Sequence, residues 1–235
     1  MIEDDPLPFG PWWSAYQRLV IGDDELPMVP VALAFSHILQ GGYPWLGAEA
    51  QLHELEQEAV RRTLGRPPSP AARAIVGLLA EQGFLGDSET YEDPANSLLD
   101  RVLERRRGLP ITLSLLVIHL GQHARVPLQG IGFPVHFLVG MGLDQEDPLV
   151  FDPFRGGQEL DGQDLADLLL RATGRPGDWR SFLRPAPPRR ILERMLRNLI
   201  AHLRRARLPH HAETAERLLE MTEAPEARMP RHPPD

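Results

Sequence analysis

The stretch that most restricts the fold is residues 111–124, I-T-L-S-L-L-V-I-H-L-G-Q-H-A. On a helix, Ile111, Leu113, Leu115, Leu116, Val117, Ile118 and Leu120 cover nearly the whole circumference, and a helix without a polar face has to sit inside something. A bilayer is not the answer. The run free of Asp, Glu and Arg around it, residues 108–124, is short and dotted with polar residues, and the next, 126–143, is broken by Pro127, Pro134 and several glycines, whereas a span needs ~20 apolar residues. The rest of the chain must therefore wrap this helix. With 235 residues, 42% of them hydrophobic and 25% charged, it has material for one large domain or two small ones, and it is neither disordered nor fibrous.

The first third supplies helices. Residues 29–40 are apolar and stop at Gly41-Gly42; residues 46–64 carry acids early and Arg61-Arg62 late, as the helix dipole favours, with Leu52, Leu55, Ala59 and Val60 on one stripe. Ser69 reads as the N-cap of a helix over 70–82 whose Ala71, Ala74, Ile75, Leu78 and Leu79 face a core. Asn96-Ser97 reads as the cap of a short helix over 98–106 closed by Gly108, and Pro110 suits the first turn of the buried helix. Beyond it, runs at 128–133, 135–141 and 149–151 are split by turn residues and read as strands, the last two as a hairpin, with another turn at Gly156-Gly157. Asp161 caps a helix over 162–173 that Gly174 ends. After the proline-rich linker 184–188, two amphipathic segments form a helical hairpin. The fold class is α+β: a helical N-terminal region (1–86), a core in which a small antiparallel sheet packs on the buried helix (87–183), a C-terminal helical hairpin (184–224) and a disordered tail (225–235).

Charge and composition remove several function classes. The net charge of -8 argues against a general nucleic-acid binder, although the distribution is uneven: residues 1–60 hold ten acids against Arg18 alone, and residues 184–207 hold eight arginines against Glu193 alone. The arginine-rich segment 189–207 lacks the aromatics that stack single-stranded bases, so an internal contact is the expected use of its charge, ahead of an acidic partner or RNA. Arg105-Arg106-Arg107 ends a helix and is expected to compensate its dipole. There is no cysteine, which removes disulfides, thiolate metal ligands and a cysteine nucleophile together. His119 and His123 lie four apart, but H-L-G-Q-H lacks the glutamate of H-E-x-x-H and no third ligand is near in sequence; packed or surface histidines are expected, as is a solvent-exposed turn at His210-His211. No metal and no cofactor is expected. The acidic start, with Glu3, Asp4 and Asp5, has no export-signal pattern, so a cytoplasmic setting is expected.

Three blocks carry a family likeness: N-S-L-L-D-R-V-L-E-R-R-R-G-L-P-I-T-L-S-L-L from Asn96, R-V-P-L-Q-G-I-G-F-P-V-H-F-L-V from Arg125 and D-P-F-R-G-G-Q-E-L from Asp152. Over about a quarter of the chain they resemble the SirB-one family of bacterial proteins. The resemblance implies a transglutaminase-like core of the papain-like type, preceded by helices and followed by tetratricopeptide-like ones; here the C-terminal part holds one helical pair, too few for a solenoid groove, and is expected to cap the core. The same kind of domain in some F-box proteins points to protein interaction. The resemblance also implies a site: a cysteine at the start of the buried helix, whose N-terminus stabilises the thiolate, a histidine on a following strand to take the proton, and an aspartate on the next to fix the imidazole.

In this chain those positions fall on 110–112, His136 and Asp152, and the sulfur is missing. Thr112 and Ser114 lie within one turn of the nucleophile position. Either would need His136 within roughly 2.6–3.2 Å, because the helix dipole contributes only ~0.3–2 kcal/mol, far short of ionising an alcohol. Backbone capping and packing are the simpler roles for both. Val135 stands where the family pattern has glycine beside the histidine, and Arg125 replaces another family glycine, as a surface change. The favoured function is a noncatalytic protein- or peptide-binding module with a cleft bounded by Pro110, Thr112, Phe133, His136, Phe137 and Phe154, and with Asn96, Arg106 and Ser114 beside it. The competing one is an amide hydrolase or acyltransferase with Thr112 or Ser114 as nucleophile, His136 as base and Asp152 as orienter.

Overall fold

The computed structural model describes residues 11–20, 26–41 and 47–223; the tail expected at 225–235 lies outside them. Helices α1 (Pro11–Val20), α2 (Met28–Ile38), α3 (Ala48–Thr63) and α4 (Pro68–Glu81) come first. α3 buries Leu52, Leu55 and Ala59 as its stripe requires, but Val60, expected on that stripe, is 44% exposed. α4 does not use Ser69 as a cap. It begins two residues earlier, after an extended Pro67, and Pro68 at the first position removes one of the N–H groups that a cap would have to satisfy.

The Asn96-Ser97 expectation also fails, for a tertiary reason. Helix α5 (Leu99–Arg105) is capped from outside: the Leu99 N–H donates to Ser36 Oγ of α2 at 2.9 Å. Asn96 lies in a 3-10 turn, Pro94–Asn96, capped by Asp93. Its amide donates to the Thr90 carbonyl (2.7 Å) and to Asp87 (3.2 Å). Burial alone pushes the Asp87 carboxyl up, but hydrogen bonds from Thr90 and Asn96 and the Arg105 charge together hold it below its ordinary value. α5 ends with Arg106 in the left-handed region (φ 56°), and Gly108 belongs instead to strand β2 (Arg107–Gly108), which pairs in parallel with β1 (Leu85–Gly86), a pairing the sequence did not announce. The arginine triplet does not serve its own helix end either. Arg106 and Arg107 donate to the Gln82 and Gly83 carbonyls just past the end of α4, at 2.7 and 2.9 Å, while Arg105 lies 3.2 Å from Asp93.

Helix α6 (Pro110–His123) is the axis of the molecule, with every residue from Pro110 to Ile118 buried. Strands β3 (Gln129–Ile131), β4 (Leu138–Met141), β5 (Leu149–Asp152) and β6 (Gln158–Glu159) form an antiparallel sheet in sequence order. Its two faces go to different cores. Val139, Met141 and Phe151 join the cluster around α6, whereas Ile131, Leu138 and Val150 pack with Leu165 and Leu169 of helix α7 (Gly162–Thr173). Covering both faces is why these short strands are apolar at successive positions instead of alternating with polar ones. α7 has the expected Asp161 cap, completed into a capping box by Asp164, and ends at Gly174 with φ 71°.

Helices α8 (Pro188–Arg205) and α9 (Pro209–Glu223) make the hairpin. Leu192, Met195, Leu196 and Leu199 of α8 enter the same apolar cluster as α2 and α6. α1 closes against α9: the buried Tyr16 hydroxyl donates to the Leu218 carbonyl at 3.2 Å and contacts Thr222, and burial drives its pKa far above the ordinary phenol value. Among the described residues, arginines of α8 find partners within the molecule, such as Arg204 on Glu216 (2.7 Å) and Arg189 on the Thr222 carbonyl (2.6 Å) of α9, together with Arg205 on Glu92. His211 is not in an exposed turn; it is buried in the first turn of α9.

Candidate functional site

The first turns of α6 meet the β3–β4 connection and the 3-10 turn Pro153–Arg155 that follows β5. There the structure brings together the two residues expected to handle a proton. His136 Nε2 lies 2.9 Å from Asp152 Oδ2, with the carboxylate 1% and the imidazole 14% exposed. The contact is close but not aligned as a ring N–H···O hydrogen bond. Asp152 is fixed independently: its Oδ1 accepts the Phe154 N–H at 3.0 Å, capping the turn, and Arg155 stands 3.5 Å from Oδ2. His136 is not on a strand as expected. It sits two residues before β4, held by its N–H to the Phe133 carbonyl (3.1 Å) and by Arg194 of α8, which donates to the His136 carbonyl at 2.8 Å.

The neighbouring Val135 shows why the family pattern has glycine there. Its φ is +57°, a conformation that a β-branched residue adopts only under strain, and its side chain is 77% exposed. Arg125, the other glycine replacement, has φ +56° and is exposed at the surface.

The hydroxyl candidates face elsewhere. Thr112 is fully buried and donates to the Asn96 carbonyl at 3.0 Å; Ser114 is equally buried and directed at the Phe137 carbonyl, 3.5 Å away. Each thus ties α6 to a neighbouring segment. The expected cleft is mostly packed interior: Phe133 and Phe137 are 1% and 2% exposed, and Pro110 and Asn96 are buried. Arg106 is spent on the Gln82 carbonyl. Phe154 alone among the cleft phenylalanines is only half-buried.

What remains accessible is a row of rings that the sequence reading did not assemble. His136 packs edge-on to Phe154 (6.0 Å), Phe154 to Tyr91 (6.0 Å) and Tyr91 to His202 of α8 (6.1 Å). Tyr91 is 40% exposed, and Gly86 allows the row to close, since a Cβ there would lie 2.3 Å from the Phe154 ring. Arg194 lies 5.5 Å above the Phe137 ring; burial lowers its pKa, and no carboxylate pairs with it among the described residues. Tyr91 and Arg194 were invisible in sequence because neither falls in a family motif and their neighbours are remote in the chain.

At the opposite end of α6, His119 and His123 are not isolated. Glu56 of α3 approaches both, at 2.6 and 3.4 Å, so a third potential ligand is present that a sequence separation of 63 from His119 had hidden.

The transglutaminase-like superfamily pattern matches residues 47–197. A UPF0162 protein of Xylella fastidiosa is 34% identical over 223 residues, covering 90% of this chain and 76% of the relative. One from Vibrio cholerae is 43% identical over 135 residues, 57% of this chain and 50% of the relative. Human F-box only protein 21 shares 36% identity over 84 residues, 33% of this chain and 13% of that protein. No solved structure matches. The matched span contains α6, the sheet and the His136–Asp152 pair, and on these grounds the chain belongs to the transglutaminase-like superfamily.

Proposed function

We propose that this chain is a noncatalytic protein- or peptide-binding member of the superfamily, a pseudoenzyme of cytoplasmic setting, that uses the ring row Tyr91–Phe154–His136 and the Arg194 guanidinium as its contact surface. The observation that carries the reading is the state of the attacking group. The sequence has no cysteine, and the two hydroxyls nearest its place are buried and directed at backbone carbonyls. A base and its orienter without a nucleophile in reach perform no acyl transfer. The half-exposed aromatic rings beside an arginine with no acidic partner among the described residues suit a segment with an apolar side chain next to a carboxylate. A core segment shared with F-box only protein 21, where it makes up a small fraction of the length, is compatible with a module carried by proteins of different build.

The retained approach of His136 to Asp152 favours one second reading, a hydrolase or acyltransferase in which Thr112 or Ser114 is released to attack. One experiment separates them. The purified chain is assayed with peptide and amide substrates, with hydroxylamine as acyl acceptor, beside His136→Ala. The binding reading expects no turnover from the unmutated chain and a lower Tm for the variant; turnover that His136→Ala abolishes at unchanged Tm overturns it. RNA binding by the α8 arginines is the third outcome, and it would show as affinity falling steeply with salt.

A further inference from the structure

We propose that Glu56, His119 and His123 form a binding site for a divalent zinc-class metal ion, with a fourth coordination position open to solvent. His119 and His123 are four residues apart on α6, a spacing that puts two imidazoles on one face of a helix, and Glu56 reaches them from α3. One nitrogen from each histidine and a carboxylate oxygen lie within 4.8 Å of one another. A tetrahedral zinc with ligands at ~2.0–2.2 Å places its donor atoms roughly 3.4 Å apart. The His123 Nε2–Glu56 Oε1 separation of 3.4 Å already meets that, and the 2.6 Å contact of His119 with the same oxygen has to open by less than an ångström.

The surroundings of Glu56 point the same way. The carboxylate is 17% exposed, yet among the described residues its hydrogen-bond and ion-pair partners are all imidazoles: His119, His123 and, at 3.5 Å, His53. The nearby Arg61 and Arg62 are engaged by Glu58 instead. A largely buried carboxylate with no arginine gains from a cation held between it and the rings. Two shallow grooves meet at His123, one running past Pro27 and Val29 and the other past His53 and Val60, so the face away from the ligands is open to water or to His53. Two nitrogens and one carboxylate oxygen with no thiolate is a donor set that suits zinc and its cobalt substitute.

The test uses the full tag-free chain stripped with a chelator, titrated with zinc chloride by calorimetry and with cobalt by its visible ligand-field absorption. Expected are one equivalent of zinc per chain, a raised Tm on loading and an intense cobalt band of low coordination number. His123→Ala, at a position 45% exposed and so safe for folding, is expected to lower affinity roughly tenfold or more and to erase the cobalt band; Glu56→Gln does the same, while His210→Ala changes neither. Absence of zinc binding by the unmutated chain, or binding that survives His123→Ala at unchanged affinity, overturns the proposal.

Discussion

The two ends of α6 hold the polar chemistry of this chain and treat it in opposite ways. At the N-terminal end Thr112 and Ser114 are fully buried and turned to backbone carbonyls, so both hydroxyls tie the helix to neighbouring segments. At the C-terminal end His119 is mostly buried, His123 is 45% exposed, and both converge on one carboxylate beside open grooves. One helix thus carries a closed constellation with an assignable ancestry and an accessible constellation with none. The difference teaches that kinship locates a site without saying whether it still operates; accessibility and unmet charge are separate facts, readable only from packing.

The largest effect tests what the two ends share. Leu116, fully buried midway along α6, supports both, and Leu116→Ala is expected to cost about 2–5 kcal/mol in chemical denaturation. A much smaller loss would mean that the ends are held by their own neighbours and not by the helix. Next, Thr112→Val removes only the hydroxyl bonded to the Asn96 carbonyl and is expected to destabilise by about 1–3 kcal/mol. Unchanged stability together with lost turnover would make the N-terminal end a working site after all and erase the contrast.

A gain is expected from Val135→Gly. It relieves a strained φ of +57° and should stabilise by about 1 kcal/mol, less the entropy that glycine restores to the unfolded chain. An unchanged or lower midpoint would mean that the turn holding His136 is not strained.

The smallest effect is on pH. Burial lowers the pKa of both His37 and His202 from the ordinary 6.5; nearby acids, Asp100 and Glu49 for His37 and Asp93 for His202, oppose the shift without cancelling it. Below about pH 6.5 the unfolded chain therefore binds protons before the folded one does. This stability is fully present above that pH and is lost as pH falls toward the depressed folded values. Tm measured at descending pH should fall in that window, and less so in His202→Gln. A flat profile would show that the ring row is solvated more freely than its burial indicates.

Much of this was written into local sequence. The all-round apolar pattern of 111–124 gave the central helix, the Asp161 and Gly174 signals bounded α7 to the residue, and His136 and Asp152 were identified before any geometry. Ser69 misled because a proline one position earlier started α4 without a cap. Asn96 misled because its amide serves the 87–90 loop while a serine from α2 caps α5. Arg106 misled because it serves the end of another helix, and the ring row and the Glu56 cluster each join segments far apart in the chain.

By itself, then, the sequence determined which segments must be inside, which histidine and aspartate to look for together and that no thiol is present, because periodicity, motif spacing and residue identity are local properties. Only the tertiary structure decided that the expected cleft is mostly packed, that Val135 is strained, that Arg194 turns to the His136 carbonyl and that Glu56 stands against two histidines. Those outcomes depend on which remote groups satisfy each polar atom, and a chain settles that only when its helices and sheet are packed together.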